Sequence, residues 1–154
     1  MVLMLAGCGG KTLSPQDQAA QIQKLWQKGQ VSEALISLKN MVRTQPDDAG
    51  LRLQLADMYL RLGNPEAAKA EIEKGAKLGL DKRTVEILNI RLAVLRNEAD
   101  VALAKFETAP DIVGDPALKP LHAEILGLMQ GKLDAAQALY EDALKEPKPT
   151  AAAY

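Results

Sequence analysis

Few side chains in this 154-residue sequence have the type and spacing that chemistry requires. Cys8 is the sole cysteine and His122 the sole histidine. A zinc site needs three or four converging ligands, so no histidine-based metal cluster can be assembled here. His122 lies between Leu121 and Ala123 in an apolar, helix-like stretch. No nucleophile or orienting acid accompanies it, so it reads as a structural or partner-contacting histidine. Gly7-Cys8-Gly9-Gly10 is glycine-rich but lacks the Lys-Ser/Thr pair and the following helix of a phosphate-binding loop. Asp47 and Asp48 read as a stop-and-cap pair, and Glu71 and Glu73 as a solvated helix face. Trp26 is the lone tryptophan. It reads first as packing, with a binding hot spot as the alternative. No catalytic residue, metal site or cofactor is expected, and the chain reads as not an enzyme.

Composition narrows the fold. The chain is 47% hydrophobic and 25% charged, as globular proteins are, but only 3% aromatic. A core drawn from Leu, Ala, Ile, Val and Met suits helix-on-helix packing better than stacked sheets. A net charge of −1 gives no electrostatic footprint for nucleic acid. No apolar run reaches the roughly 18–20 residues that span a bilayer.

The elements come from an internal repeat. Gly29, Gly63, Asn97 and Gly131 recur at one constant interval. Five positions after each come Ala34, Ala68, Ala102 and Ala136, and four further on Leu38, Ile72, Phe106 and Tyr140. Three more give Met41, Gly75, Ala109 and Ala143. Alanine is common in the chain, so one alanine column would mean little; four alanines and three glycines in one register carry the repeat. Gly or Asn allows the left-handed residue that ends a helix. The alanine lets two helices approach closely, and the large residue four later fills the adjoining gap. Each unit is thus a hairpin of helix A, before the Gly/Asn, and helix B, after it. Ser14-Pro15-x-Asp17, Asn64-Pro65 and Asp115-Pro116 read as helix starts, Pro46-Asp47-Asp48 as a stop and a cap, and Gly79-x-Asp81 as a unit boundary. The predicted helices cover about 15–28, 31–44, 48–62, 65–78, 82–96, 98–108, 116–129 and 132–145.

A helical pair at this interval resembles the tetratricopeptide repeat, TPR, whose unit is about 34 residues long. The match is fullest in AGLRLQLADMYLRLGNPEAAKAEIEKGAKLGLDK, residues 49–82, where Leu55, Ala56, Tyr59, Gly63, Ala68, Ile72 and Ala76 fall at the motif's positions. The first unit keeps Gly29, Ala34, Leu38 and Pro46 but has Ile22 at a usually small position. The third has Ile90 and Ala93, and the fourth Glu124 and Gly127, at the small and aromatic positions. Helix B is therefore regular, while helix A drifts in the last two units. The resemblance implies an all-α solenoid, a right-handed superhelical array of about four units over 15–148: 15–48, 49–82, 83–116 and 117–150. Residues 149–154 read as the start of a further repeat, and the chain as a fragment of a longer array. The family register places Gln23, Trp26, Gln27, Leu53, Asp57, Leu60, Arg61, Ile87, Arg91 and Val94 in a concave groove, followed by Ile125 and Leu128. That strip is mostly apolar and lacks the basic carboxylate clamp of some TPR modules. It suits an extended peptide or a partner helix rather than a small-molecule substrate or nucleic acid. Burial of the strip by further repeats, or as inter-helix core, is the alternative.

At the N-terminus, Leu5-Ala6-Gly7-Cys8 resembles the bacterial lipobox, in which the cysteine becomes the lipidated first residue. Residues 1–8 then read as a truncated lipoprotein signal and 9–14 as a tether. Acyl chains on Cys8 would anchor the protein at about 0.8 kcal/mol per buried CH₂. The alternative is an unmodified, buried thiol. Gly9 is not the aspartate of an inner-membrane retention signal, so the periplasmic face of the outer membrane is the expected address. LAGCGGK followed by LKN…PDDA…LG-PEAA-AE…LGLDK resembles the TPR lipoproteins of the PEP-CTERM/exosortase exopolysaccharide systems. That resemblance implies an envelope scaffold for protein sorting or export. The alternatives are a generic outer-membrane assembly lipoprotein, the non-catalytic part of a longer enzyme such as a glycosyltransferase or peptidase, and a soluble oligomerisation module.

Overall fold

The computed structural model describes residues 15–145. Cys8, the 9–14 tether and the 149–154 segment lie outside the described residues. Among the described residues there are nine α-helices, one 3₁₀ turn and no strand. The helices are α1 (Pro15–Gln27), α2 (Val31–Thr44), α3 (Ala49–Arg61), α4 (Pro65–Lys77), α5 (Lys82–Leu95), α6 (Ala99–Glu107), α7 (Pro110–Val113), α8 (Lys119–Gly127) and α9 (Leu133–Ala143). The 3₁₀ turn Pro116–Leu118 leads into α8. Helices pack consecutively as A–B pairs: α1 with α2, α3 with α4, α5 with α6, and α8 with α9. The A helices α3, α5 and α8 also touch one another in turn. The fold is the all-α solenoid that the repeat implies.

The punctuation residues adopt the conformation their types demand. Gly29, Gly63, Asn97 and Gly131 have φ of 73°, 69°, 60° and 75°. At the first three, the helix ends in paired bonds: Gln30 N–H donates to the Leu25 carbonyl, Asn64 to Tyr59 and Glu98 to Ala93, while the left-handed residue itself donates to the carbonyl three before it. This closes the exposed carbonyls at the helix end. Helix starts are capped by Asp48, Asn64 and Asp81, which accept from the amides of Leu51, Ala67 and Thr84 at 2.9, 3.1 and 2.8 Å.

The alanine column is sealed. Ala34, Ala68 and Ala102 have no exposed surface, and Ala136 is 2% exposed. Each apolar cluster draws on two consecutive units. Ile22, Ala34, Leu38, Met41, Val42, Leu51, Leu55 and Met58 join the first to the second. Ala56, Leu60, Ala68, Ile72, Leu88 and Leu92 join the second to the third. Phe106, Ile90, Ala102, Ile112, Leu121 and Ile125 belong to the cluster joining the third to the fourth. Leu38, Ile72 and Phe106 are buried in their column, whereas Tyr140 is exposed. Among the described residues, no element follows α9 to cover it.

Three expectations are corrected. First, the segment between α6 and α8 contains α7, which the repeat pattern does not predict. Pro110 lacks an amide hydrogen and its ring would crowd the Phe106 carbonyl, so the B helix stops and restarts with proline at its first position. Ile112 of α7 is 1% exposed and plugs the cluster around Phe106. Second, the helix predicted over 116–129 begins only at Lys119. Asp115 caps the 3₁₀ turn, accepting from Ala117 N–H at 2.8 Å, because Pro120 must lie in the first turn of an α-helix. Arg83 of α5 holds this segment by donating to the Asp111 carbonyl at 3.2 Å and pairing with the Asp115 carboxylate. Third, Glu71 is not on a solvated face. It is buried and accepts from Arg52 Nη1 and Lys74 Nζ, both at 2.8 Å.

Arg52 also donates from Nε and Nη2 to the Pro46 carbonyl at 3.2 and 2.8 Å. One guanidinium therefore ties the turn before α3 to α3 and α4. Burial of Glu71 pushes its pKa up, but hydrogen bonds and charge from Lys74 and Arg52 outweigh that and hold it below the ordinary value. A depressed folded pKa contributes stability above the unfolded value of about 4.3, and that stability is lost as pH falls through the folded value. Glu71→Gln is expected to lower unfolding stability by about 2 kcal/mol at pH 7. The gap from wild type should narrow as pH falls below about 4.3. Urea unfolding at pH 7, 5 and 3 measures it; a constant gap would contradict the linkage.

Candidate partner-binding groove

The A helices bring one charged and aromatic cluster onto their shared face. Asp57 of α3 accepts from Arg61 Nε at 2.7 Å and from Arg91 Nη1 of α5 at 2.6 Å. The Arg61 guanidinium carbon lies 5.7 Å from the centre of the Trp26 ring of α1. Beside this cluster is an open hollow of about 230 Å³, lined by Leu60, Arg61, Arg91, Val94, Leu95 and Glu124. Its residues come from α3, α5 and α8, so Trp26, Asp57, Arg61, Arg91 and Glu124 together represent the A helix of every unit.

The energetics assign this cluster to the surface rather than to the fold. Arg61 and Arg91 are 51% and 37% exposed at the side chain. Half-exposed ion pairs contribute about 0–1 kcal/mol, and an exposed cation–π contact about 0.5–1 kcal/mol. Loss of these ion pairs and the cation–π contact would therefore destabilise the fold less than loss of one fully buried aromatic such as Phe106, about 3–5 kcal/mol for removal to alanine. Its effect is to hold two guanidiniums in place. Among the described residues, Arg61 Nη1 and Nη2 and Arg91 Nε and Nη2 donate to no other group.

Of the sequence-assigned groove residues, Leu60, Arg61, Arg91 and Val94 line the hollow. Trp26 and Asp57 adjoin it through the arginines. Gln23 and Gln27 are exposed on α1, away from the hollow's lining. Leu53 packs against the second–third unit cluster and Ile87 against the third–fourth cluster, and neither lines the hollow. Leu60 presents little surface, at 7% exposure, and belongs chiefly to the core. Trp26 also packs on the first cluster, so packing and surface contact are both present.

The fourth unit needs a correction. Ile125, assigned to the groove, is fully buried, and Glu124 faces the hollow instead. Leu128 is 41% exposed but follows α8 and does not line the hollow. The cause is register. Leu88, Ile90, Leu92 and Ala93 of α5 are buried. Their buried counterparts in α8 are Leu121, Ala123, Ile125 and Leu126, each one position earlier than the repeat interval would place it. The helix-A spacing has shortened by one, and the longer 128–132 connection restores the repeat column at Gly131. The signal is the glutamate at the small position: the shortened step puts Ala123 there and Glu124 opposite Arg91. Leu95, too, lines the hollow without having been assigned to it.

His122 stacks on Phe106, with ring centroids 4.6 Å apart and planes at 25°. Among the described residues no group of His, Cys, Asp and Glu could hold a metal ion. No helix of the described residues is long and apolar enough to cross a membrane. The hollow is smaller than the roughly 300–1,000 Å³ of small-molecule sites, which limits it to one or two side chains of a larger ligand.

Stacked helical hairpins with a shared A-helix face define the α-solenoid class of binding proteins. A tetratricopeptide repeat family profile matches residues 25–83, from the end of α1 into the start of α5. The chain therefore contains a TPR segment, a non-catalytic fold whose usual role is to bind protein or peptide partners. No curated protein matches the sequence.

Trp26 is a built-in reporter because it is the only tryptophan. Arg61→Ala is expected to change its emission while lowering unfolding stability by less than about 1 kcal/mol. Fluorescence spectra and urea midpoints of the two proteins check both halves.

Proposed function

We propose that this protein is an interaction scaffold that holds an extended segment or helix of a partner protein along its A-helix face. The observation that carries the reading is the Trp26–Arg61–Asp57–Arg91–Glu124 surface, assembled from all four A helices, whose ion pairs add little to the fold. The finer reading is an envelope scaffold, lipid-anchored through Cys8 at the periplasmic face of the outer membrane. The Leu5-Ala6-Gly7-Cys8 tetrad supports it. The resemblance to PEP-CTERM/exosortase lipoproteins supports a role in exopolysaccharide-linked protein sorting or export.

Two experiments separate the coarse reading from the fine one. Affinity purification from host envelope extracts with wild type and with Arg61→Glu/Arg91→Glu should show partners lost from the variant, with helical content unchanged by circular dichroism. An identical partner set would count against the groove. Radiolabelled palmitate should enter the wild-type protein and not Cys8→Ser; label in both would end the lipid-anchor reading.

A further inference from the structure

Inside the array, helix B of one unit is covered by helix A of the next. The α4–α5 contact shows how. Ile72 packs with Leu88 and Leu92. At the edge of that contact Arg96, the C-cap of α5, donates from Nη2 to Oε1 of Glu66 in the first turn of α4 at 2.6 Å. α9 is a helix B that no element covers among the described residues, and its Leu133, Tyr140 and C-cap Leu144 are 69%, 44% and 85% exposed. α1 is a helix A with no helix B before it among the described residues, and Ala20, Gln21, Lys24 and the adjoining Lys28 are exposed. Both end helices keep the repeat register: Ala136 of α9 is buried as Ala68 of α4 is, and Ile22 of α1 as Ile90 of α5 is.

That register matches the two ends to one another. Two repeat steps after Glu66 comes Asp134, and two after Ile72 comes Tyr140. Two steps before Arg96 comes Lys28, and two before Leu92 comes Lys24. The acid and base that pair inside the array therefore recur, one at each free end. Lys24, Lys28 and Asp134 are exposed and form no ion pair among the described residues. Contacts between like ends are disfavoured. Two α1 helices would set Lys24 and Lys28 against their own copies, and two antiparallel α9 helices would set Asp134 against Glu141.

We propose that a second copy of this chain covers α9 with its α1, head to tail, so that Lys28 of the second copy pairs with Asp134 of the first. In this seating the methylene stem of Lys24 lies along the Tyr140 ring, as Leu92 lies on Ile72, and its ammonium stays at the edge. The contact joins unlike surfaces. It leaves a free α1 at one end and a free α9 at the other, so copies add in a line and do not close into a dimer. Repeats then run on from chain to chain, and the A-helix face runs on with them. Lysine stands where α5 has Leu92, and the charge pair lies at the rim, so the contact is weak and salt-sensitive. It uses the end faces of the array and stands whether or not the groove holds a partner.

Sedimentation velocity of the full chain under reducing conditions, from micromolar to millimolar concentration, tests this. The weight-average mass should climb with concentration, pass the dimer without a plateau, and fall when salt is raised to about 0.5 M. Lys28→Glu and Asp134→Lys should each weaken association about tenfold, because each turns an attraction into a repulsion. Both sites are exposed, and helical content by circular dichroism should not change. An equimolar mixture of the two variants should associate again. One junction between them then has the native pair, and the other has the same pair with its charges exchanged. A monomer at every concentration would overturn the proposal and is the result expected if residues 146–154 cover α9 within the same chain. A plateau at the dimer would overturn it in favour of a contact between like ends. Association indifferent to both substitutions, or a mixture that stays apart, would overturn it as well.

Discussion

Packed helix axes lie about 8–10 Å apart depending on the side chains that meet between them, and alanine is what allows the short end of that range. Ala34, Ala68, Ala102 and Ala136 occupy that role once per unit, and none exposes more than 2% of its surface. A larger residue at any of them would push the hairpin open and misplace the residue four later, which reaches into the next unit. That dependence explains why each apolar cluster spans two units. A single hairpin has too little apolar surface facing itself, and its stability comes from its neighbours. Fully burying a side chain such as Leu38 or Ile72 gains about 1.5–3 kcal/mol, whereas the pairs Arg96–Glu66 and Lys105–Glu86 lie near the surface and contribute about 0–1 kcal/mol each. The stack is therefore held by its clusters, and its ion pairs adjust orientation.

The hairpins are legible in the sequence because their signals are local and obligatory. A left-handed residue must be Gly or a tolerant residue such as Asn, and Asn97 is the only non-glycine with positive φ among the described residues. Proline and a capping side chain mark the start of α4 correctly for the same reason. Glu71 is not legible in this way, because the sequence shows only glutamates and lysines interspersed along α4. Its burial depends on Arg52, which is distant in the chain and on another helix. No helical periodicity contains that pairing, so a buried, satisfied charge looks like an ordinary solvated one.

The groove is only partly legible, and the reason lies in the third and fourth units. A fixed repeat step carries Asp57 to Arg91 correctly, then fails by one position at α8. Pro110 shortens the B helix to nine residues, α7 and the 3₁₀ turn occupy the gap, and Pro120 constrains where α8 can begin. On a helix, one residue is a rotation of about 100°. That rotation takes Ile125 from groove to core and brings Glu124 out. Apolar periodicity within α8 alone, Leu121, Ala123, Ile125 and Leu126, carries the true register, and the repeat conceals it. Local burial pattern is thus the better guide wherever prolines break an array.

The spacing also explains how such a surface can change its ligand without endangering the fold. Consecutive A helices lie side by side, so residues close to one repeat apart become neighbours across them. Trp26 meets Arg61 in this way, and Asp57 meets Arg91. The groove is written by one or two exposed positions per helix, while the residues beside them, Leu60 and Leu92, belong to the core. Because the exposed pairs contribute little to stability, their charges are free to vary. Because they are fixed by one another, each variation is presented with defined geometry. The sign at α8 illustrates the point: the register step that buries Ile125 also places Glu124 against a hollow otherwise rimmed by arginine. A change in helix spacing made by prolines has therefore become a change in the charge that a partner meets.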